Sequence, residues 1–328
     1  MPMPPTHSRR LKYQVASCVF LIGLSLSILP NRCNAQDEKQ STGPGSVPKQ
    51  LAESAIQVDS LIKSDWVKEW LRYGGELPPV EPFTVEVNGR VTHVDEELFY
   101  VGRFGSPLAY ARALDLVAAA GMDGLTDKHV LDFGYGSIAS VRMIALAGAD
   151  VTGVDVSPMA HAMYANHSGA IGDGKVQLVN GRFPKDESVV NQAGANYDLV
   201  ISKNTLKKGY IHPSRAADPR MLVDLGVDDA TFLKGLHDLL KANGMVIIYN
   251  ICPAKANADQ DYVPWAEGEN PFSREQWQTA GFEVLHYDIE DHAAARDLGR
   301  ALGWDRGANP MNLSQDLFAW YSIMRRID

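Results

Sequence analysis

The stretch that decides the fold is VLDFGYGSIA, residues 130–139. A short apolar run ends in the acid Asp132, the glycines Gly134 and Gly136 follow one residue apart, and a helix-like sequence begins after them. A strand that leads through glycines into a helix is typical of a nucleotide-binding turn, because the helix offers free N–H groups and a positive dipole end. The glycines alone do not say which nucleotide binds.

The sequence around this stretch alternates between strand and helix patterns. Alternation at this spacing predicts an α/β fold with a doubly wound, mostly parallel sheet. In such sheets, ligands bind beyond the carboxyl ends of the strands. The predicted strands cover 130–133, 151–154, 176–179, 199–202, 245–250, 282–287 and 317–324, with helices near 138–147, 158–166, 229–241 and 274–280.

The part of the chain before residue 106 has a different pattern. Apolar residues at helical spacing predict a helix over 51–73 that Gly74 and Gly75 end. The following FTVEVNGRVTHV predicts a β-hairpin, because Asn88-Gly89 suits a turn with two positive φ angles. We therefore expect residues 51–105 to form a small N-terminal cap of helix and hairpin on a main domain over 106–328.

Residues 1–35 are typical of a secretory signal peptide, with a basic start, an apolar run and small residues before a cleavage point. The apolar run over 15–29 is short of the roughly 20 residues that span a bilayer, and an uncleaved signal anchor is the alternative. The polar residues 36–50 predict a flexible linker. We expect an exported or membrane-associated protein, with membrane contact only if the segment stays uncleaved. A tether that faces the cytoplasm is the alternative.

Composition limits the partners. The 328 residues carry 31 Lys and Arg against 40 Asp and Glu, a formal charge of −9, which argues against a nucleic-acid partner. Cleavage after Ala35 would leave Cys252 as the single cysteine, so no intramolecular disulfide could form. The acids near 259–269 lack the histidines and the spacing of a metal-binding loop, so no metal site is expected.

Asp132 discriminates between the nucleotides. Gly134, Gly136 and Ala139 match the G-x-G-x-x-A pattern, and Asp155 lies where an acid would bind a ribose, so NAD and S-adenosylmethionine both fit. A carboxylate at Asp132 repels a pyrophosphate but attracts the ammonium and sulfonium of S-adenosylmethionine. At an effective dielectric constant near 20, such a contact is worth about 4 kcal/mol.

Six segments together resemble the class I S-adenosylmethionine-dependent methyltransferases, over roughly residues 106–328. They are VLDFGYG, VTGVDVSP, YDLVISKNTL, LLKANGMVIIYN, AGFEVLHYD and LFAWYSIMRR. The resemblance implies a seven-stranded sheet with an antiparallel last strand, and S-adenosyl-L-methionine as the cofactor. The chain departs from the family at Ile138, where a third glycine is frequent, and at Arg182, where an acid near the adenine is frequent.

The candidate site residues follow from these motifs. After the fourth predicted strand, His212 is the candidate base and Asn204 a second catalytic candidate, because both come after the carboxyl end of a strand. Phe183 is expected to stack on the adenine in place of the missing acid, and Asp186 is the second-choice acid. The full set of expected cofactor-binding residues is Asp132, Gly134, Gly136, Asp155, Val156, Phe183 and Lys203.

The sequence therefore predicts methyl transfer from S-adenosylmethionine to a small-molecule or protein acceptor. An NAD-type oxidoreductase is one alternative, which Asp132 disfavours. A non-catalytic binding protein on the same scaffold is the other, which Ile138, Arg182 and the export signal favour. The acceptor and the oligomeric state stay open.

Overall fold

The computed structural model describes residues 43–102, 105–255, 257, 259, 261–307 and 309–327. The predicted signal peptide and residues 36–42 of the predicted linker lie outside the described residues. Among the described residues, no helix has both the length and the apolar character needed to cross a bilayer.

Twelve α-helices and ten β-strands are described in this part of the chain. The helices are α1 (Ser46–Asp59), α2 (Asp65–Arg72), α3 (Glu96–Tyr100), α4 (Tyr110–Ala119), α5 (Ile138–Leu146), α6 (Pro158–Tyr164), α7 (Glu187–Ala193), α8 (Lys208–Ile211), α9 (Asp229–Leu239), α10 (Arg274–Thr279), α11 (His292–Ala301) and α12 (Leu313–Asp316). The strands are β1 (Phe83–Val87), β2 (Arg90–Val94), β3 (His129–Phe133), β4 (Asp150–Asp155), β5 (Gly169–Ile171), β6 (Gly174–Asn180), β7 (Tyr197–Lys203), β8 (Leu240–Cys252), β9 (Phe282–Glu290) and β10 (Phe318–Arg326).

The main sheet has eight strands in the order β5-β6-β4-β3-β7-β8-β10-β9. Neighbours from β6 to β8 pair in parallel, and β10 pairs antiparallel with both β8 and β9. This order confirms the predicted α/β class and the antiparallel last strand of the class I methyltransferase fold. The strand count is eight rather than seven because β5 adds a short antiparallel edge. The chain extends from β3 to either side, so the carboxyl end of β3 lies at the switch point, where ligands bind.

The two faces of the sheet contact two hydrophobic clusters. Val130 belongs to one cluster and its neighbour Leu131 to the other, because successive side chains of a strand point to opposite faces. The N-terminal Trp70 and Phe99 are fully buried and belong to the same cluster as Val130. The N-terminal elements therefore share a core with the sheet.

The hairpin is confirmed, and the single helix predicted over 51–73 is wrong. Asn88 and Gly89 adopt φ of 52° and 74° between β1 and β2. In place of one helix, α1 begins at Ser46, inside the predicted linker, and α2 follows it after a break. The break is stabilised from outside the segment: Asp115 Oδ1 accepts the N–H groups of Lys63 and Ser64, at 3.0 and 2.9 Å.

A buried network of charges joins α4 to α11. Arg112 donates from Nε and Nη2 to Asp291, at 2.8 and 2.7 Å, and from Nη1 to Asp115, at 3.2 Å. The side chains of Asp115 and Asp291 are only 3% and 8% exposed. Tyr249 Oη on β8 donates to Asp291 at 3.1 Å. Within this network, the cation of Arg112 therefore pairs with both buried carboxylates.

Removal of the arginine from this network should destabilise the fold. We expect Arg112→Met to lower the free energy of unfolding by about 3–5 kcal/mol, because two buried carboxylates lose their cation. Urea denaturation followed by circular dichroism measures the change. Lys234→Met is the control, since it breaks an exposed pair with Asp238 and should cost less than about 1 kcal/mol. A loss for Arg112→Met as small as that of the control would contradict the prediction.

Candidate functional site

The turn between β3 and α5 requires glycine. Gly134 and Gly136 have φ of 73° and 59°, a region that L side chains rarely adopt. A Cβ atom on Gly134 would lie 2.3 Å from Thr205 Oγ1, so a side chain would clash. The N–H of Gly134 donates to the carbonyl of Val154 at 2.8 Å, which fixes the turn against the end of β4.

Asp155, at the end of β4, joins this turn to the start of α6 through its two carboxylate oxygens. Oδ2 accepts the N–H of Gly136 at 3.0 Å, and Oδ1 accepts the N–H of Ser157 at 2.8 Å. Burial raises the pKa of Asp155, and the backbone donors partly offset this. Each oxygen retains capacity for a further donor. The next residue, Val156, is 46% exposed and presents an apolar surface beside the acid.

Asp132 lies fully buried near the end of β3. Its carboxylate accepts from Tyr110 Oη at 3.3 Å and from Ser140 Oγ at 3.4 Å, both long for hydroxyl donors. Burial raises its pKa to about 7, against the opposing effects of Tyr110 and of the Lys203 charge. The carboxylate is thus poorly stabilised by the groups around it.

Lys203 occupies the end of the neighbouring strand β7. In the β3–β7 register Asp132 lies opposite Ile201, so Lys203, two residues further, points to the same face as Asp132. Its side chain is buried, which lowers its pKa to about 8. Nζ lies 5.2 Å from the centroid of the Tyr110 ring and makes neither a hydrogen bond nor an ion pair within 4.0 Å to the residues that the structure describes. Two opposite charges therefore lie close to each other without direct contact.

The structure buries Phe183 in the hydrophobic cluster that contains Leu131. Its ring is 3% exposed and packs edge-on against Phe232 of α9, with 6.5 Å between centroids. This corrects the prediction that Phe183 stacks on an adenine, because the core buries the ring that stacking would need. Arg182 extends outward instead, with Nη1 at 3.3 Å from Asp224.

Asn204 holds the ends of two strands together. It adopts φ of 63°, which asparagine tolerates better than most residues. Its Oδ1 accepts the N–H of Ile251 at 2.7 Å, and its own N–H donates to the carbonyl of Tyr249 at 3.1 Å. These bonds give Asn204 a structural role at the β7–β8 junction, and the predicted catalytic role stays a prediction.

His212 lies in a separate polar cavity of about 390 Å³ beyond α8. Its Nε2 is 2.9 and 3.0 Å from the two carboxylate oxygens of Asp229, which Gln276 also contacts at 2.8 Å. If Nε2 carries the proton of this bond, Nδ1 is the accepting nitrogen. Lys208 also lines this cavity, whereas Asp132 does not. The structure therefore does not bring the candidate base into the cluster at the end of β3.

Two residues of the Asp132 cluster escaped prediction. Tyr110 belongs to α4, 22 residues before Asp132, and no local motif marks it. Ser140 did carry a signal, because it is a polar residue in the otherwise apolar start of α5. No group of three or more His, Cys, Asp or Glu side chains that could hold a metal ion occurs in the part of the chain that the structure describes.

Comparison with known proteins finds no matching family model and no matching curated protein. One similar solved structure, a protein from Galdieria sulphuraria described as a sarcosine dimethylglycine methyltransferase, is 13% identical, with 66% of this chain and 88% of that chain covered and a TM-score of 0.38. Another, the [4+2]-cyclase SpnF, is 14% identical, with 88% of this chain and 97% of that chain covered and a TM-score of 0.41. A third, magnesium protoporphyrin IX methyltransferase from Synechocystis PCC 6803 with bound SAM, is 16% identical, with 66% of this chain and 77% of that chain covered and a TM-score of 0.35. These TM-scores are too low for the similarity to support an inference about function. The function is therefore inferred from the chain's own side chains.

Neutralising Asp132 should stabilise the protein at high pH. The folded state holds the Asp132 proton more tightly than the unfolded state, because burial raises the pKa from 3.8 to about 7. The stability that the protonated form contributes is complete below pH 3.8 and is lost as the pH rises through 7. We expect the free energy of unfolding of Asp132→Asn to exceed that of wild type by on the order of 2 kcal/mol at pH 8, with a smaller difference at pH 5.

Urea denaturation of both chains at pH 5, 6.5 and 8 checks this. Asp150→Asn is the control, because that carboxylate is 58% exposed and its loss should produce no comparable pH-dependent gain. A variant at Asp132 that is no more stable than wild type at pH 8 would refute the account of this site.

Proposed function

We propose that this chain is an S-adenosylmethionine-dependent methyltransferase, and that the amino-acid end of the cofactor binds between Asp132 and Lys203. The observation that carries this proposal is the pair of opposite, buried charges on one face of adjacent strands, neither with an ionic partner in contact. The amino-acid end is a zwitterion, with one ammonium and one carboxylate. In this arrangement the ammonium pairs with Asp132 and the carboxylate pairs with Lys203.

The energetics favour a zwitterion over a dinucleotide. A buried charge without a partner is unfavourable, and the shifted pKa values of Asp132 and Lys203 express that cost. A bound ammonium would lower the pKa of Asp132, and a bound carboxylate would raise that of Lys203. The pyrophosphate of NAD carries no cation for Asp132 and would be repelled by its carboxylate.

The nucleoside end would lie over the end of β4. Asp155 can accept ribose hydroxyls with the lone pairs that Gly136 and Ser157 leave unused. The exposed side chain of Val156 offers an apolar surface to the base. The order of these groups along the carboxyl edge, from β4 through β3 to β7, matches the order base, ribose and amino acid in the cofactor.

The chain's contribution to catalysis is mainly positional. S-adenosylmethionine, when bound, supplies a methyl group that its sulfonium already activates. Asp132 and Lys203 fix the amino-acid end, so that the orientation of the reacting centre is set before reaction. The acceptor loses a proton as it gains the methyl group. Because His212 lies in a cavity outside the Asp132 cluster, Nδ1 of His212, oriented by Asp229, is the proposed base for an acceptor that extends from that cavity to the cofactor. The cavity beside His212, about 390 Å³, has the size of a small-molecule site.

Calorimetric titration of the full-length chain tests the cofactor. We expect S-adenosylmethionine and S-adenosylhomocysteine to bind and NAD not to bind. Decarboxylated S-adenosylmethionine should bind roughly 10- to 100-fold more weakly than the intact cofactor, because Lys203 loses its charged partner. Lys203→Met should remove this preference, since the variant cannot use the carboxylate.

Lys175→Met is the matched control, because this lysine is exposed on β6 and should leave the preference unchanged. Binding of NAD alone would favour an oxidoreductase and overturn the interpretation of Asp132. Absence of binding by every nucleotide would favour a non-catalytic protein on this scaffold.

The proposed base is tested by transfer of a tritiated methyl group. With a metabolite extract in which wild type shows transfer, His212→Gln should reduce the rate by about 10²- to 10⁴-fold, because the acceptor proton has no base. The affinity for S-adenosylmethionine should stay unchanged, which separates transfer from binding. An unchanged rate would remove His212 from the mechanism.

A further inference from the structure

Arg142 on α5 is a buried cation whose described partners are neutral. Its side chain donates from Nη1 to Tyr100 Oη at 2.7 Å, and its Nη2 lies 2.9 Å from His167 Nδ1. Burial and the neighbouring guanidinium lower the pKa of His167, which favours the neutral imidazole. Among the described residues, no carboxylate lies within 4.0 Å of the guanidinium.

This arrangement is unfavourable for the protein alone. The guanidinium of Arg142 belongs to a residue that is only 9% exposed, and removal of a charge from water is unfavourable without a counter-charge. The guanidinium carbon lies 5.4 Å from the ring centroid of Phe99 and 5.8 Å from that of Tyr100. These cation–π contacts stabilise the positive charge in part. Two N–H groups are used in the bonds to Tyr100 and His167, which leaves three of its five donors without a described hydrogen bond.

Arg112 of the same chain shows how a structural arginine is paired. It is more exposed than Arg142, with 20% of its side chain accessible, yet it contacts the carboxylates of both Asp115 and Asp291. Arg142 is more deeply buried and has neither. Of these two arginines, only Arg142 therefore lacks a counter-charge in contact.

Arg142 lines a cavity of about 510 Å³ between β1 and α6. Val80, Phe83 and Met163 contribute apolar surface to this cavity, and Thr84 and Asn166 contribute polar groups. The rim also carries Glu81, an exposed acid that makes no ion pair with Arg142. The cavity thus combines one cation with an apolar wall and has the volume of a small-molecule site.

We propose that this cavity binds a small organic acid, with its carboxylate on Arg142 and its apolar body against Val80, Phe83 and Met163. The planar guanidinium presents paired donors that match a carboxylate. A single cation with an acid at the rim suits one negative charge better than the two of a phosphate group. The cavity shares no lining residue with the proposed cofactor site, which lies at the carboxyl ends of β3, β4 and β7.

Titration of the full-length chain with benzoate, 2-naphthoate and octanoate, each beside its neutral amide, tests the proposal. We expect at least one acid to bind tenfold or more tightly than its amide. Arg142→Gln should abolish that preference, and Arg142→Lys should retain only part of it, because lysine keeps the charge but not the paired donors. Arg182→Gln, at an exposed arginine, is the matched control and should leave the preference intact.

Two further variants keep the test decisive. Thr84→Trp replaces an exposed residue at the cavity wall and should block the acids while Arg142 and its partners stay in place, even if Arg142→Gln fails to fold. Asp132→Asn should lose the cofactor and still bind the acid, so failure of one proposal is distinguishable from failure of the other. Equal affinity for acids and amides, retention of the preference in Arg142→Gln, or tighter binding of inorganic phosphate than of every acid would overturn the proposal.

Discussion

The parallel strands of the sheet end at one edge, and this constraint forces two opposite charges into a place that folding removes from water. The β3–β7 register sets Asp132 and Lys203 on one face, and Tyr110 of α4 covers them. Because they do not touch, each charge carries its own desolvation cost, and the pKa values move towards each other, to about 7 and about 8. A fold selected for stability alone would favour a contact or an apolar pair at these positions. A zwitterionic ligand would offset this desolvation cost by pairing with both charges, which gives a functional reason for the arrangement.

The N-terminal segment packs as part of the domain. It also contacts residues in or next to both proposed sites. Glu96 is 3% exposed and accepts the N–H groups of Gly45, Val47 and Val80, which fixes the start of α1. Four residues further, the carbonyl of Tyr100 accepts from Ser137 at the start of α5, and its hydroxyl accepts from Arg142 one turn later. The helix that follows the glycine turn is thus held in place by the same segment that forms the wall of the second cavity.

The sequence predicted most of the main sheet, because its strands are buried runs of β-branched residues with clear ends. It missed β5, whose first residues are Gly169 and Ala170, neither of which favours a strand. The break between α1 and α2 could not be predicted from the local sequence either, because Asp115, about fifty residues away, supplies the carboxylate that stabilises it. The candidate site shows the same division. Asp132 and Asp155 follow from local motifs, whereas the buried position of Phe183 depends on α9, which sequence spacing does not place.

The proposed cofactor site is open at one end and closed at the other, which suggests an order of binding. Val156 is exposed beside Asp155, so a nucleoside can dock without displacing protein groups. At the other end, Tyr110 is 7% exposed and its hydroxyl contacts Asp132. Burial raises the pKa of Tyr110 well above 10, so this hydroxyl stays a neutral donor, and its 3.3 Å bond is long. An ammonium makes a charge-assisted bond to the same carboxylate and should displace it. Under the proposed function, the nucleoside would dock first, and the amino-acid end would enter last, by exchanging a weak neutral hydrogen bond for an ionic one.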